Sequence, residues 1–182
     1  MKTLKEKYLE EVQPKMMEEF SIKNVFAAPK LKKIVINMGL ADAKEDAGIL
    51  EKSVVNVAAI SGQKPVVTKA KKSIAAFKLT KGASIGLMVT LRGDKMYAFF
   101  NKLVNIVLPK VRDFRGVAQT GFDSKGNYNL GFKELLIFPE INYKNVDKPR
   151  GLQVTINTTA ENREQGKMLL ELMGMPFKKG DR

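Results

Sequence analysis

A chain of 182 residues with 32 Lys and Arg against 19 Asp and Glu, and with no His, Cys or Trp, is long enough for one sound core and carries a formal charge of +13. The missing histidine and cysteine exclude disulfides, thiolate chemistry, His/Cys metal sites and the commonest general base. No apolar run approaches membrane-spanning length, and Met1–Val12 lacks the apolar centre of a signal peptide, so the expected compartment is the cytoplasm.

Residues 3–20 are predicted as a helix, with Leu4, Tyr8, Val12 and Met16 at four-residue spacing and Pro14 expected to bend it. Asn24–Pro29 lead into a strand at 31–40, where Ile34, Ile36, Met38 and Leu40 form one face and Val35, Asn37 and Gly39 the other. A helix over 43–61 follows, its stripe made of Leu50, Val54, Val57 and Ala58, with Gly62 as its stop. Lys64–Lys69 is a short strand, and 84–92 a longer one with Ile85, Leu87, Val89 and Leu91 inward and Gly86, Met88, Thr90 and Arg92 outward. Between them lies the loop Ala70–Ala83, far longer than a compact hairpin needs, which suggests function. Asp94 is the expected cap of a helix over 95–108 that turns Met96, Phe100, Leu103 and Val107 inward and ends at Pro109. Region 110–150 is less regular, with a strand through Tyr128, Leu130 and Phe132. A last strand carries Leu152, Val154, Ile156 and Thr158, and a helix over 161–173 buries Leu169, Leu172 and Met173 before Gly174.

Helices and strands mix here without strict alternation. That order predicts an α+β fold, a largely antiparallel sheet in two layers with helices packed on one face. A single domain over 1–182 is expected, with a protruding basic loop at about 70–83 and a flexible tail at 178–182.

The charge is unevenly placed. Residues 1–51 hold nine bases and nine acids, and 113–182 hold eleven and nine, whereas 52–112 hold twelve bases and one acid, Asp94. Solubility needs no such segregation, and a polyanion does. A membrane surface would want a basic amphipathic helix with exposed aromatics, but these lysines crowd loops and strands. Nucleic acid is therefore the expected partner, bound through counterion release.

For an enzyme only carboxylates, lysine or serine remain. Asp113, Asp123, Glu134 and Glu140 are the candidates for a magnesium-dependent nuclease, yet their spacing matches no metal site, and Asp113 and Asp123 read equally well as turn or ion-pair residues. No catalytic residue, metal, cofactor or small-molecule substrate is assigned. RNA binding has more support. Asn37, Thr90 and Arg92 fall on the polar faces of two strands, with Gln63 and Lys64 at the adjoining turn. Phe77, among Lys71, Lys72, Lys78 and Lys81, is either a core plug or a surface on which a base stacks. A general single-strand binder without shape preference is the remaining alternative.

VINMGL at 35–40, SGQKPVVTKAKKSIAAFKL at 61–79, VTLRG at 89–93, RDFRG at 112–116, FDSKGNYNLG at 122–131, LIFPEI at 136–141 and RGLQVTINTTA at 150–160 occur in order over nearly the whole chain. Together they resemble the bacterial large-subunit ribosomal protein L-five family. The resemblance implies a fold like an RNA-recognition motif. It implies binding to 5S rRNA in the central protuberance, contact with P-site tRNA, neighbouring large-subunit rRNA and proteins, and a bridge to a small-subunit head protein, the thirteenth of that subunit. Carried over by position, it implies 5S rRNA contacts at Asn37, Gln63 and Thr90, flanked by Lys64 and Lys69, with Arg92 on the same strand as Thr90. The resemblance likewise implies a tRNA-facing loop at Lys71–Gly82, including Lys71, Lys72, Ser73, Phe77, Lys78, Lys81 and Gly82. Ser-Lys at 124–125 replaces the family's usual Gly-Arg, and EINYKNVD at 140–147, a candidate bridge segment, is less acidic than usual.

Overall fold

The computed structural model describes residues 3–44, 47–141 and 148–178. The fold is α+β. Five strands, β1 (Leu31–Gly39), β2 (Val66–Lys69), β3 (Ser84–Leu91), β4 (Tyr128–Phe132) and β5 (Leu152–Thr158), make one antiparallel sheet in the order β2-β3-β1-β5-β4, accompanied by helices. Alternation is what makes the strands: Ile34, Ile36 and Met38 of β1, Leu87, Val89 and Leu91 of β3, and Leu152, Val154, Ile156 and Thr158 of β5 are buried, with more exposed residues between them. The chain divides into two compact units, one of Met1–Ile34, Leu91–Leu130 and Thr155–Arg182, the other of Val35–Thr90 and Gly131–Val154.

The first unit opens on a capping box in which the Thr3 hydroxyl accepts the Glu6 N–H and the Glu6 carboxylate accepts the Thr3 N–H. α1 (Leu4–Lys7), a π turn at Tyr8–Val12 and α2 (Gln13–Glu19) follow without a break, and Tyr8, Val12 and Met16 are buried as predicted. The π turn ends two residues before Pro14. A widened turn relieves the clash of the proline ring with the preceding carbonyls, so it stands where a bend is predicted. The device recurs: α4 (Gly93–Lys102) passes into a π turn at Leu103–Val107, two residues before Pro109. Asp94 does not cap α4. Arg92 holds the N-cap position, and Asp94 lies in the first turn, where the helix dipole favours an acid, 3.0 Å from the Lys5 ammonium.

α5 (Arg163–Leu172) starts after the predicted 161 because Asn162 caps it, its side-chain oxygen accepting the Gln165 N–H at 2.9 Å. Leu169 and Met173 are buried as expected, but Leu170 is buried where Leu172 is only half so. Against α5 lies the Asp123–Asn127 turn, at Gly126 (φ +71), where a Cβ would come within 2.5 Å of the Asn162 carbonyl. Phe122, Tyr128 and Phe177 form an aromatic cluster, with centroids 4.7–5.6 Å apart, and the buried Tyr128 hydroxyl donates to the Ala118 carbonyl at 2.7 Å. Lys178, the first residue of the expected tail, is held by its N–H to Val117 and by the Gln119 amide to its carbonyl; residues 179–182 lie outside the described residues.

In the second unit the helix predicted from 43 is a 3-10 turn at Ala41–Lys44 and then α3 (Ala47–Ser61). Its buried face is Ser53, Asn56, Val57, Ile60 and Ser61, while Leu50, Val54 and Ala58 are half-buried, so only Val57 of the predicted stripe is fully inside. Three buried polar residues rotate the true face away from the apolar pattern. Asp42 binds Lys148 and lies 3.5 Å from the Arg150 guanidinium. The Lys148 hydrogen bond, more than any other influence, holds the Asp42 carboxyl below its ordinary range. β2 begins at Val66 rather than Lys64, because Pro65 has no N–H to give a ladder.

Candidate nucleic-acid interface

Five of the six sheet-side candidates, Asn37, Gln63, Lys64, Lys69 and Thr90, belong to the second unit, and Arg92 belongs to the first, exposed at the start of α4. Asn37 is exposed on β1 between the buried Ile36 and Met38. Thr90 is half-buried on β3 between the buried Val89 and Leu91, so both lie opposite the core. β3 is the neighbour of β1 in the sheet, and Gly86 allows their close approach: a Cβ there would lie 2.7 Å from the Met38 carbonyl oxygen.

Gln63 is placed by a residue absent from the sequence-based candidates. Ser61, buried at the end of α3, has its hydroxyl 2.7 Å from the Val57 carbonyl and 2.8 Å from the Gln63 carbonyl, and donates to one of them at a time. The same oxygen accepts the Gln63 N–H at 3.2 Å, and the Gln63 amide donates to the Thr90 carbonyl at 3.4 Å. Gly62, at φ +64, lets the chain reverse there. The geometry therefore brings Gln63 and Thr90 together, with the rest of the exposed Gln63 side chain open to a ligand. The readable signal is a Ser directly before the helix-stopping Gly.

Lys64 is exposed in the turn and Lys69 is exposed at the end of β2, where a register shift between Thr68 and Lys69 interrupts the pairing with β3. The loop beyond is a second, smaller hairpin rather than a loose tip. At its base the Ala70 N–H donates to the Ala83 carbonyl at 2.8 Å and the Gly82 N–H to the Ala70 carbonyl at 2.9 Å. Further out Ile74 and Leu79 exchange backbone hydrogen bonds around a 3-10 turn at Ala75–Phe77, which Lys78 closes at φ +47. The Ser73 hydroxyl accepts the Lys81 N–H at 2.9 Å and ties the two limbs. Lys71, Lys72, Lys78, Lys81 and Gly82 are exposed, and Phe77 is 69% exposed, which removes the reading of Phe77 as a core plug. From Lys52 to Thr90 the sequence holds no acid to neutralise these lysines.

A sequence model of ribosomal protein L5 matches residues 24–79, and a model of the C-terminus of the same ribosomal family matches residues 84–177. The chain is also 58% identical to the large ribosomal subunit protein uL5 of Desulfatibacillum aliphaticivorans over 98% of its own length and 100% of the relative's. It is 56% identical to the uL5 protein of Thermus aquaticus over 97% of each chain, and 56% identical to that of Geotalea daltonii over 98% and 99%. The chain belongs to the ribosomal protein L5 family.

Membership makes this L5-family chain a protein of the large ribosomal subunit, structural rather than enzymatic. Asp123, one of the candidate carboxylates, has a structural use. One Asp123 oxygen accepts the Lys125 and Asn127 N–H groups at 2.9 and 2.8 Å, and the other accepts the Asn127 amide at 2.7 Å. Burial, the largest single influence, opposes its ionisation, but these bonds together outweigh it and hold its pKa below the ordinary value. Asp113 sits in a turn at φ +51. Among the described residues no three His, Cys, Asp or Glu gather in a way that suits a metal, and no helix is long and apolar enough to cross a membrane.

Proposed function

We propose that this ribosomal protein attaches 5S rRNA to the large subunit through Asn37, Gln63, Lys64, Lys69, Thr90 and Arg92. In this reading the hairpin finger Lys71–Gly82 touches P-site tRNA, with Phe77 offering a stacking surface among its lysines. The protein works in the cytoplasm, within the ribosome, beside other large-subunit proteins and rRNA, and bridges to a small-subunit head protein. Most of the segment expected at that bridge, 142–147, lies outside the described residues.

The observation that supports the reading is the placement of the Gln63 amide against Thr90, with an exposed Asn37 on the neighbouring strand, in a unit whose stretch 52–90 has no acid. Amides and hydroxyls held by the fold read base edges and riboses, while lysines supply phosphate attraction of no particular sequence. The test is a competition titration of the protein between 5S rRNA and an unrelated structured RNA across a range of salt. The reading requires 5S rRNA to win by orders of magnitude and to keep its lead as salt rises. If both RNAs fall away on one common slope, the lysines alone bind and the reading fails.

A further inference from the structure

Two apolar side chains lie on the side of the sheet that should be polar. Val66 of β2 and Met88 of β3 are direct partners in the antiparallel ladder, so their side chains share one face about 5 Å apart at Cβ. They are 62% and 37% exposed, while Val67 and Leu87, the next pair along, turn the other way and Leu87 is fully buried. Core packing therefore does not explain the pair. Met88 stands two residues before Thr90 on the same side of β3, and Val66 lies on the strand that Lys64 precedes and Lys69 ends. At Thr68↔Gly86, the pair beyond, the place a Gly86 side chain would take is filled by the Met38 carbonyl oxygen and the Thr68 hydroxyl, so the apolar surface ends there.

We infer that Val66 and Met88 form an apolar seat for an unstacked nucleoside of the bound RNA, a contact made through base or ribose faces rather than phosphate. The inference rests on the RNA-binding reading above. RNA is the occupant because the seat lies within a stretch without acids and between lysines that hold a phosphate backbone. A base needs an apolar platform when it leaves its stack. Methionine suits that task, since its flexible, polarisable thioether fits against an aromatic ring without a fixed shape.

Such a contact weakens little with salt, which separates it from the lysines. The test is binding of 5S rRNA by the paired variant Val66→Thr, Met88→Thr, which places a strand-favouring β-branched residue at both positions, measured across a range of salt. We expect a loss of about tenfold in affinity, the same at every salt concentration, with an unchanged slope of log K on log salt. Met88→Leu should bind as the unaltered protein does when Val66 is kept, and an unchanged thermal midpoint in the threonine variant separates loss of the seat from loss of fold. Unchanged affinity in the threonine variant, or a loss accompanied by a shallower slope, overturns the inference. If the unaltered protein shows no preference for 5S rRNA, the RNA reading itself falls, and the two failures remain distinguishable.

Discussion

Ser61 illustrates how a buried hydroxyl decides where an exposed candidate residue, Gln63, is held. With its hydroxyl removed, the Gln63 N–H loses its acceptor and the Val57 and Gln63 carbonyls lose a donor at a buried helix end. Ser61→Ala should cost about 1–2 kcal/mol of stability in chemical denaturation and should also weaken 5S rRNA binding, because the Gln63 turn loosens. A stability loss with affinity intact would make Ser61 structural only. Asn37 and Thr90 need no such support, so changing both to alanine should lower 5S rRNA affinity by about 1–3 kcal/mol while leaving the thermal midpoint nearly unchanged. Both were legible in the sequence, because a strand with one buried face sends every second residue outward. The orientation of Gln63 was not legible, since it depends on a tertiary hydrogen bond with no periodic trace. Met88 was legible as outward by the same alternation, but its pairing with the exposed Val66 was not, because the register between β2 and β3 leaves no mark in either strand alone.

Among elements, the strands were more readable than the helices. β1, β3 and β5 follow their alternation, but α3 buries Ser53, Asn56 and Ser61, so its true face cannot be found by following apolar residues alone. The cap of α4 was misplaced because an acid suits the first turn as well as the cap, and only the Lys5 contact distinguishes the two. The finger at 71–82 was legible as long and basic, but its inner hairpin rests on backbone bonds between Ile74 and Leu79 and on a left-handed Lys78. Because its cations are exposed and separate from Asn37 and Gln63 in the chain, replacing Lys71, Lys72, Lys78 and Lys81 with glutamine should weaken tRNA contact in assembled ribosomes. 5S rRNA attachment should stay largely intact, with both read by retention on purified ribosomes. Equal loss of the two contradicts the division of labour.

At the scale of the whole molecule, alkaline pH probes the fold through its tyrosines. Burial pushes the Tyr8 phenol up to about 12, with a further push from Tyr97, and burial pushes Tyr128 up to about 12. Their hydroxyls donate to the Pro29 and Ala118 carbonyls at 3.0 and 2.7 Å. A phenol whose folded pKa is raised contributes stability in full below its unfolded pKa near 10, and that contribution is lost as pH rises from about 10 to 12. Ultraviolet titration should therefore show Tyr8 and Tyr128 ionising in step with unfolding; Tyr8→Phe and Tyr128→Phe should each remove one late-titrating group. Early, independent ionisation would mean that the phenols are less enclosed than the structure has them. The closed base of the finger has a different kind of consequence. Since Ala70 already bonds to Ala83 and Gly82, the β2–β3 ladder does not depend on what lies beyond them, and the eleven residues of Lys71–Lys81 form a detachable module. A chain in which an Asn-Gly turn replaces that module should still fold and still enter the large subunit. Insertions and deletions can therefore accumulate in the finger without disturbing the sheet that carries it.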